Sequence, residues 1–173
     1  GLLLGDRNSK VKRLMVVLDI TPHVVEEAIK KEIDMIISHH PLIFKPMKQI
    51  VYEDIEGRLI MDLISNNIAV YCAHTNLDMA NGGVDDALAK AIKLKDVKKL
   101  SKEDPLQSKP GFGRWGKLDS FINLVDFAHY VAKILKSPRV EVIGIKKVKE
   151  NKPIKTVALC AGSGSSFMRE AQR

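Results

Sequence analysis

The sequence predicts an α/β protein with mostly parallel strands and flanking helices, and three observations carry that expectation. Apolar, β-branched runs (RLMVVLDI, DMIIS, IAVYCA) alternate with helix-period segments (VVEEAIKK, GRLIMDLISN, VDDALAKAI) across residues 13–92. The runs are nearly continuously apolar, as expected of strands covered on both faces. The length, 173 residues, suits one domain or two halves sharing a core.

Taken in order, residues 13–20 (RLMVVLDI) read as a buried strand. Thr21 follows as an N-cap with Pro22 at the first helical position, and the helix presents Val25, Ala28 and Ile29 on one face. Residues 34–38 form a short strand that ends at His39-His40-Pro41. PLIFKPMKQIVYED holds two prolines and reads as a loop. Residues 57–66 form a second amphipathic helix, and residues 68–73 a third buried strand that leads into HTNLD (74–78). Asn81-Gly82-Gly83 is a turn. The helix after it carries Asp85 and Asp86 in its first turn, where the helix dipole favours acids.

The lysine-rich stretch 93–110 marks the boundary between a first half, 1–96, and a second, 97–173. Beyond it LVDFAHYVAKIL is a helix, RVEVIGI a strand and TVALCAG another buried strand. The last runs into Gly162-Ser163-Gly164-Ser165-Ser166 ahead of a further helix.

Composition narrows the function classes. Hydrophobic residues at 45% and charged residues at 28% exclude a disordered chain. No apolar run approaches the roughly 18 residues needed to cross a bilayer, and GLLLGDRNSK lacks the basic start of a signal peptide. Cys72 and Cys160 form no CxxC pair and fit a reducing cytoplasm. Glycine at position 1 and an ending inside the helix-like FMREAQR suggest a fragment. Charge is uneven: residues 1–89 hold 9 Lys and Arg against 13 Asp and Glu (−4), and residues 90–173 hold 19 against 8 (+11). The basic half admits an acidic partner, whether nucleic acid, a phosphorylated metabolite or another subunit. The simpler reading is a lysine-solvated surface, because aromatics make up only 5% and do not interleave with the lysines.

Polar residues fall where chemistry is expected. Functional groups of an open parallel sheet gather beyond the carboxyl ends of its strands. Two strands end in HHP and HTNLD, which places His39, His40, His74 and Asp78 at one rim. Imidazole and carboxylate suit Zn, Fe, Ni or Mn, and a carboxylate can bridge two cations about 3.5–4 Å apart. The alternative is that these are polar strand-end residues hydrogen-bonded to one another. His23 and His129 read as structural or surface residues. Gly111-Phe112-Gly113-Arg114-Trp115-Gly116 matches GxGxxG, but Pro110 precedes it and no strand feeds it, so it reads as a turn with exposed aromatics. GSGSS reads equally as an anion-binding loop or a tight turn, and the GK[ST] of a P-loop is missing from it.

The segments GLLLGD, LDITPHVVEEAI, DMIISHHPLIFKPMKQI, VYCAHTNLDMANGGVDDALA, GFGRWG and ALCAGSGSS resemble, in order, those of the Nif-three-like family, also called GTP cyclohydrolase 1 type 2 homologues. The resemblance implies two interlinked α/β halves, a toroidal homohexamer and a pair of divalent metal ions. His39, His40 and Asp78 match the family's metal ligands, and His74 lies beside them in a position suited to moving protons. The family completes its site with a His and a Glu from a segment that would follow GSGSSFMREA. Three of five expected ligands are therefore present, and this chain is expected to bind metal weakly. The implied function is that of a binuclear metal-dependent hydrolase acting on a nucleotide or other phosphorylated substrate. The alternative is a non-enzymatic metal-binding scaffold or regulatory protein, associated with nucleic acid.

Overall fold

Two parallel strand pairings organise the first of two compact units, Gly1–Asn76, in the computed structural model, which describes residues 1–101, 111–143 and 152–172. Four strands, β1 (Leu2–Leu4), β2 (Leu14–Val17), β3 (Met35–Ser38) and β4 (Ala69–Cys72), form a sheet in the order β1-β4-β3-β2. β2 runs parallel to β3 with Val17 opposite Ser38, and β3 runs parallel to β4 with Ser38 opposite Cys72. β1 closes the far edge antiparallel to β4.

Each parallel pair needs a crossover, and a helix supplies it. α1 (Pro22–Lys30) joins β2 to β3, and α2 (Ile55–Ser65) joins β3 to β4. Thr21 caps α1 as its residue type predicts: its hydroxyl accepts the Val24 N–H at 3.3 Å, and Pro22 fills the first turn. The two helices bury one core against the sheet: Val25 and Ala28 from α1, Ile60 and Leu63 from α2, Ile36 and Val70 from the strands.

β2 departs from its expected burial. It is an edge strand, and its residues alternate, with Met15 and Val17 packed on the core while Val16 is 72% exposed. A continuous apolar run resembles a central strand, yet an edge position leaves alternate residues open.

The second unit, Leu77–Arg173, has a different pairing. β5 (Lys95–Lys99), β6 (Arg114–Asn123) and β7 (Pro153–Leu159) form a sheet in the order β5-β6-β7, antiparallel throughout. Among the described residues parallel pairing is thus confined to the first sheet. α4 (Val84–Ala91) and α5 (Leu124–Ile134) contribute to a core in which Ala89, Ile92 and Leu94 meet Leu118, Phe127, Val157 and Leu159. A 3₁₀ turn, Gly164–Phe167, and a one-turn helix α6 (Met168–Ala171) follow β7.

Several expectations change here. The stretch read as a lysine-rich boundary contains β5, and residues 102–110 lie outside the described residues. GFGRWG is no exposed turn: β6 starts at Arg114, which is buried. RVEVIGI has no strand over residues 139–143, and its last two residues lie outside the described ones. The two compact units divide the chain between residues 76 and 77. Ala89 of α4 packs in the core of the second unit. No helix among the described residues is long and apolar enough to cross a membrane.

The first core yields a contrast in stability. Ile60 is fully buried, so Ile60→Ala is expected to cost about 2–5 kcal/mol in denaturant unfolding. The Ser38 hydroxyl is also buried but finds no hydrogen-bond partner among the described residues. Removing an unsatisfied hydroxyl relieves a desolvation cost, so Ser38→Ala is expected to raise stability by roughly 1 kcal/mol in the same measurement.

Candidate metal centre

The carboxyl ends of three adjacent parallel strands build the site. His39 and His40 follow β3, His74 follows β4 by one residue, and Asp19 follows β2. The ladder continues past the strand ends and holds these residues in register. The Ala73 N–H donates to the Ser38 carbonyl at 2.8 Å, the His39 N–H to the Val17 carbonyl at 3.2 Å, and the His40 N–H to the Leu18 carbonyl at 2.9 Å. Adjacent residues of an extended strand point to opposite faces, but both histidines lie where the strand has ended and their rings can converge.

They do converge. The ring centroids of His39 and His40 are 5.1 Å apart, those of His39 and His74 5.3 Å, and those of His40 and His74 5.9 Å. One ligand nitrogen from each of the three lies within 4.8 Å of the others.

Hydrogen bonds at the far side of two rings set their orientation. His39 Nδ1 lies 2.8 Å from the Ala73 carbonyl oxygen, which only accepts, so Nδ1 carries the proton and donates it. His40 Nδ1 lies 2.7 Å from Asp19 Oδ1 and donates to that carboxylate in the same way. In each neutral ring the unprotonated nitrogen is then Nε2. An imidazole anchored through Nδ1–H to a carbonyl or carboxylate is the usual support for a metal-binding histidine. Among the described residues neither ring nitrogen of His74 has a hydrogen-bond partner, so its tautomer is not fixed in this way. The donor set therefore suits a borderline divalent cation such as Zn, Fe, Ni or Mn.

The expected site residues separate into two groups. His39, His40 and His74 come together in the first unit. Asp78 ends the one-turn helix α3 (Thr75–Asp78), is buried, and belongs to the second unit. Near it in charge terms is Cys160, just beyond β7: burial pushes its thiol up, and the Asp85 and Asp78 carboxylates push it further. Sequence reading missed Asp19. The only available signal was an acid directly after the apolar run MVVL, at the carboxyl end of a strand in the same sheet. The Ala73 carbonyl left no signal, because a backbone partner has no side-chain identity.

GSGSS provides no helix long enough to serve as an anion site, since the 3₁₀ turn and α6 span four residues each. His23 lies in α1 and His129 in α5, and neither joins the cluster.

A family model described as Duf34/NIF3 (NGG1p interacting factor 3) matches residues 1–173. The chain belongs to the DUF34/NIF3 family. Its sequence is 36% identical over its whole length to a GTP cyclohydrolase 1 type 2 homolog of Clostridium acetobutylicum, of which it spans 63%. It is 32% identical to a NIF3-like protein 1 of Drosophila melanogaster, matching 99% of this chain and 58% of the fly protein. Among solved structures, a hypothetical protein of Staphylococcus aureus superimposes with a TM-score of 0.85 at 31% identity, covering 99% of this chain and 67% of that one. A Bacillus cereus protein related to NIF3 gives 0.84 at 25% identity, with coverages of 99% and 72%. The NIF3 resemblance of the sequence segments is therefore upheld, as is the α/β class. This NIF3-family chain spans under two thirds of the length of both curated relatives.

The role of Asp19 is testable. Asp19→Ala removes the acceptor that fixes the His40 ring, and affinity for Zn²⁺ is expected to fall by about 10–100-fold in competitive chelator titrations. His23→Ala, outside the cluster, is expected to leave that affinity unchanged.

Proposed function

We propose that His39, His40 and His74 hold a divalent cation, that Asp78 is a further metal ligand as the family resemblance implies, and that the metal-loaded protein hydrolyses a nucleotide or another small phosphorylated molecule. The observation that carries the reading is the convergence of three histidines, one ring nitrogen of each within 4.8 Å of the others, with two rings turned by Nδ1 hydrogen bonds so that Nε2 is left to ligate. Such preorganisation spares the metal the cost of orienting its own ligands.

When bound, divalent cations supply Lewis-acid polarisation of the substrate electrophile and make water acidic enough to act as a nucleophile near neutral pH. The chain's own residues do the remainder. His39 and His40 bind through Nε2 and keep their protons on Nδ1, held by the Ala73 carbonyl and Asp19. His74, lacking an anchor of this kind, either completes the ligand set or moves a proton at a ring nitrogen. Asp78 would supply an anionic oxygen donor to a bound cation. The relatives' printed name, GTP cyclohydrolase 1 type 2 homolog, makes GTP one candidate substrate. The excess of basic residues in the second half suits a phosphorylated substrate in general.

Metal content measured by mass spectrometry on the protein and on His39→Ala, His40→Ala and Asp78→Ala tests the proposal. With three of five expected ligands present, uptake of up to two ions per chain, weak and only with metal in excess, is the expected result for the parent, with further loss in each variant. Phosphate release or ring opening from GTP and from a panel of phosphomonoesters is expected to require the added metal and to fall at least 100-fold in His40→Ala. Two bound ions without turnover of any phosphorylated compound would instead favour a metal-binding scaffold.

A further inference from the structure

The second unit contains a buried charge cluster that the proposed chemistry does not use directly. Arg114, the first residue of β6, is 2% exposed, and Asp85 is fully buried. Burying a guanidinium is costly unless its donors are satisfied, and here all three of its nitrogens have acceptors. Nε donates to the Asp86 carboxylate. Nη1 donates to the Gly113 carbonyl at 2.9 Å and lies 3.8 Å from Asp85 Oδ2. Nη2 reaches the carbonyls of Ala80 at 3.2 Å and Met79 at 3.4 Å.

Those last two carbonyls belong to the turn directly after Asp78. The same turn is tied at two further points. The Gly82 N–H donates to Asp86 Oδ2 at 2.6 Å, so Asp86 links the turn and Arg114. The Gly83 N–H donates to the Ala80 carbonyl at 2.9 Å, and a Cβ on Gly83 would lie 1.9 Å from the Leu77 carbonyl oxygen. The backbone on both sides of Asp78 is therefore packed against the start of α4. Asp85 completes the assembly: its two oxygens accept the Ala161 N–H at 2.7 Å and the Gly113 N–H at 2.9 Å. One buried cluster thus ties the Met79–Gly83 turn to both β6 and the end of β7.

We propose that Arg114 is a positioning residue for Asp78: by clamping the Met79 and Ala80 carbonyls with Asp86, it sets the direction from which the Asp78 carboxylate meets a cation. The proposal rests on the reading of Asp78 as a metal ligand. A planar fork contacting three segments cannot be replaced by a single ammonium point charge, so Arg114→Lys keeps the charge and loses the clamp.

Co²⁺ titrated into the metal-free protein, followed by visible absorption and by competition with a chelator, provides the test. Wild type is expected to take up two ions, both weakly, at saturating Co²⁺. Arg114→Lys is expected to bind the second about 10–100-fold more weakly, leaving the first, held by the histidines, at wild-type affinity. Asp86→Asn, a milder loosening of the same clamp, shifts the second ion in the same direction and serves if Arg114→Lys does not fold. Leu94→Ala, a core truncation in the same unit, lowers the melting temperature but is expected to leave both affinities intact. Wild-type affinity for both ions in the clamp variants would overturn the proposal, as would an equal loss in Leu94→Ala. If Asp78→Asn itself leaves Co²⁺ uptake unchanged, Asp78 is no ligand and both readings fall. If Asp78→Asn loses the second ion while the clamp variants keep it, the positioning role alone fails.

Discussion

The parallel register of β3 and β4 is the constraint on which the candidate site depends. With Ser38 opposite Cys72, the residues just past the two strands face each other, and that alignment brings His39 and His40 to the same rim as His74. Because side chains alternate along a strand, a slip of one residue would turn the supporting positions to the other face. The register is in turn held by burial: Ile36 and Val70 are fully enclosed beneath α1 and α2, and neither strand can slide without exposing one of them. The hydrophobic core is therefore the positional reference for the imidazoles, as well as the main source of stability.

A second level of control acts on each ring. Strand ends fix where a histidine begins, but rotation about its side-chain bonds remains, and each unfixed rotation costs ordering when a ligand binds. The Ala73 carbonyl and Asp19 remove that freedom from His39 and His40. Both partners come from strands next to β3: Ala73 extends β4, and Asp19 extends β2. The three-strand parallel array is therefore needed as a whole. β4 supplies one imidazole and one anchor, β3 supplies two imidazoles, and the edge strand β2 supplies the other anchor. That accounts for an edge strand with such exposed apolar residues as Val16 belonging to the functional rim.

How much of this was legible in the sequence depends on whether the controlling interaction is local. The N-cap of α1 and the three histidines at strand ends were readable, because capping chemistry and strand termination are encoded within a few residues. Asp19 was not, since its pairing with His40 spans 21 residues and exists only once β2 lies beside β3. β5 was hidden by its composition: four of its five residues are charged, and an edge strand needs no alternating apolar pattern when most of it is exposed. β6 was hidden by the glycines around Arg114, which signal a turn in isolation. They are needed because backbone crowds them: a Cβ on Gly116 would lie 2.6 Å from the Lys95 carbonyl oxygen. The antiparallel pairing of the second sheet could not be inferred either, because strand direction is decided by connections that a residue pattern does not specify.

The two units solve the same problem with different physics. In the first, three imidazoles stand on an apolar core, and orientation comes from single hydrogen bonds at half-exposed positions. In the second, Arg114 and Asp85 are buried where hydrophobic residues of equal volume would be at least as stabilising, since desolvating a charge pair consumes most of what its attraction returns. What the charged cluster has that an apolar one lacks is direction: a guanidinium satisfies carbonyls only along its N–H vectors, and a carboxylate accepts amides only along its lone pairs. Three segments distant in sequence, around residues 80, 113 and 161, are held at defined angles by two side chains. Apolar packing there would hold the segments together while leaving their orientation loose. A buried ionic cluster beside Asp78 is therefore better explained by directional placement than by stability.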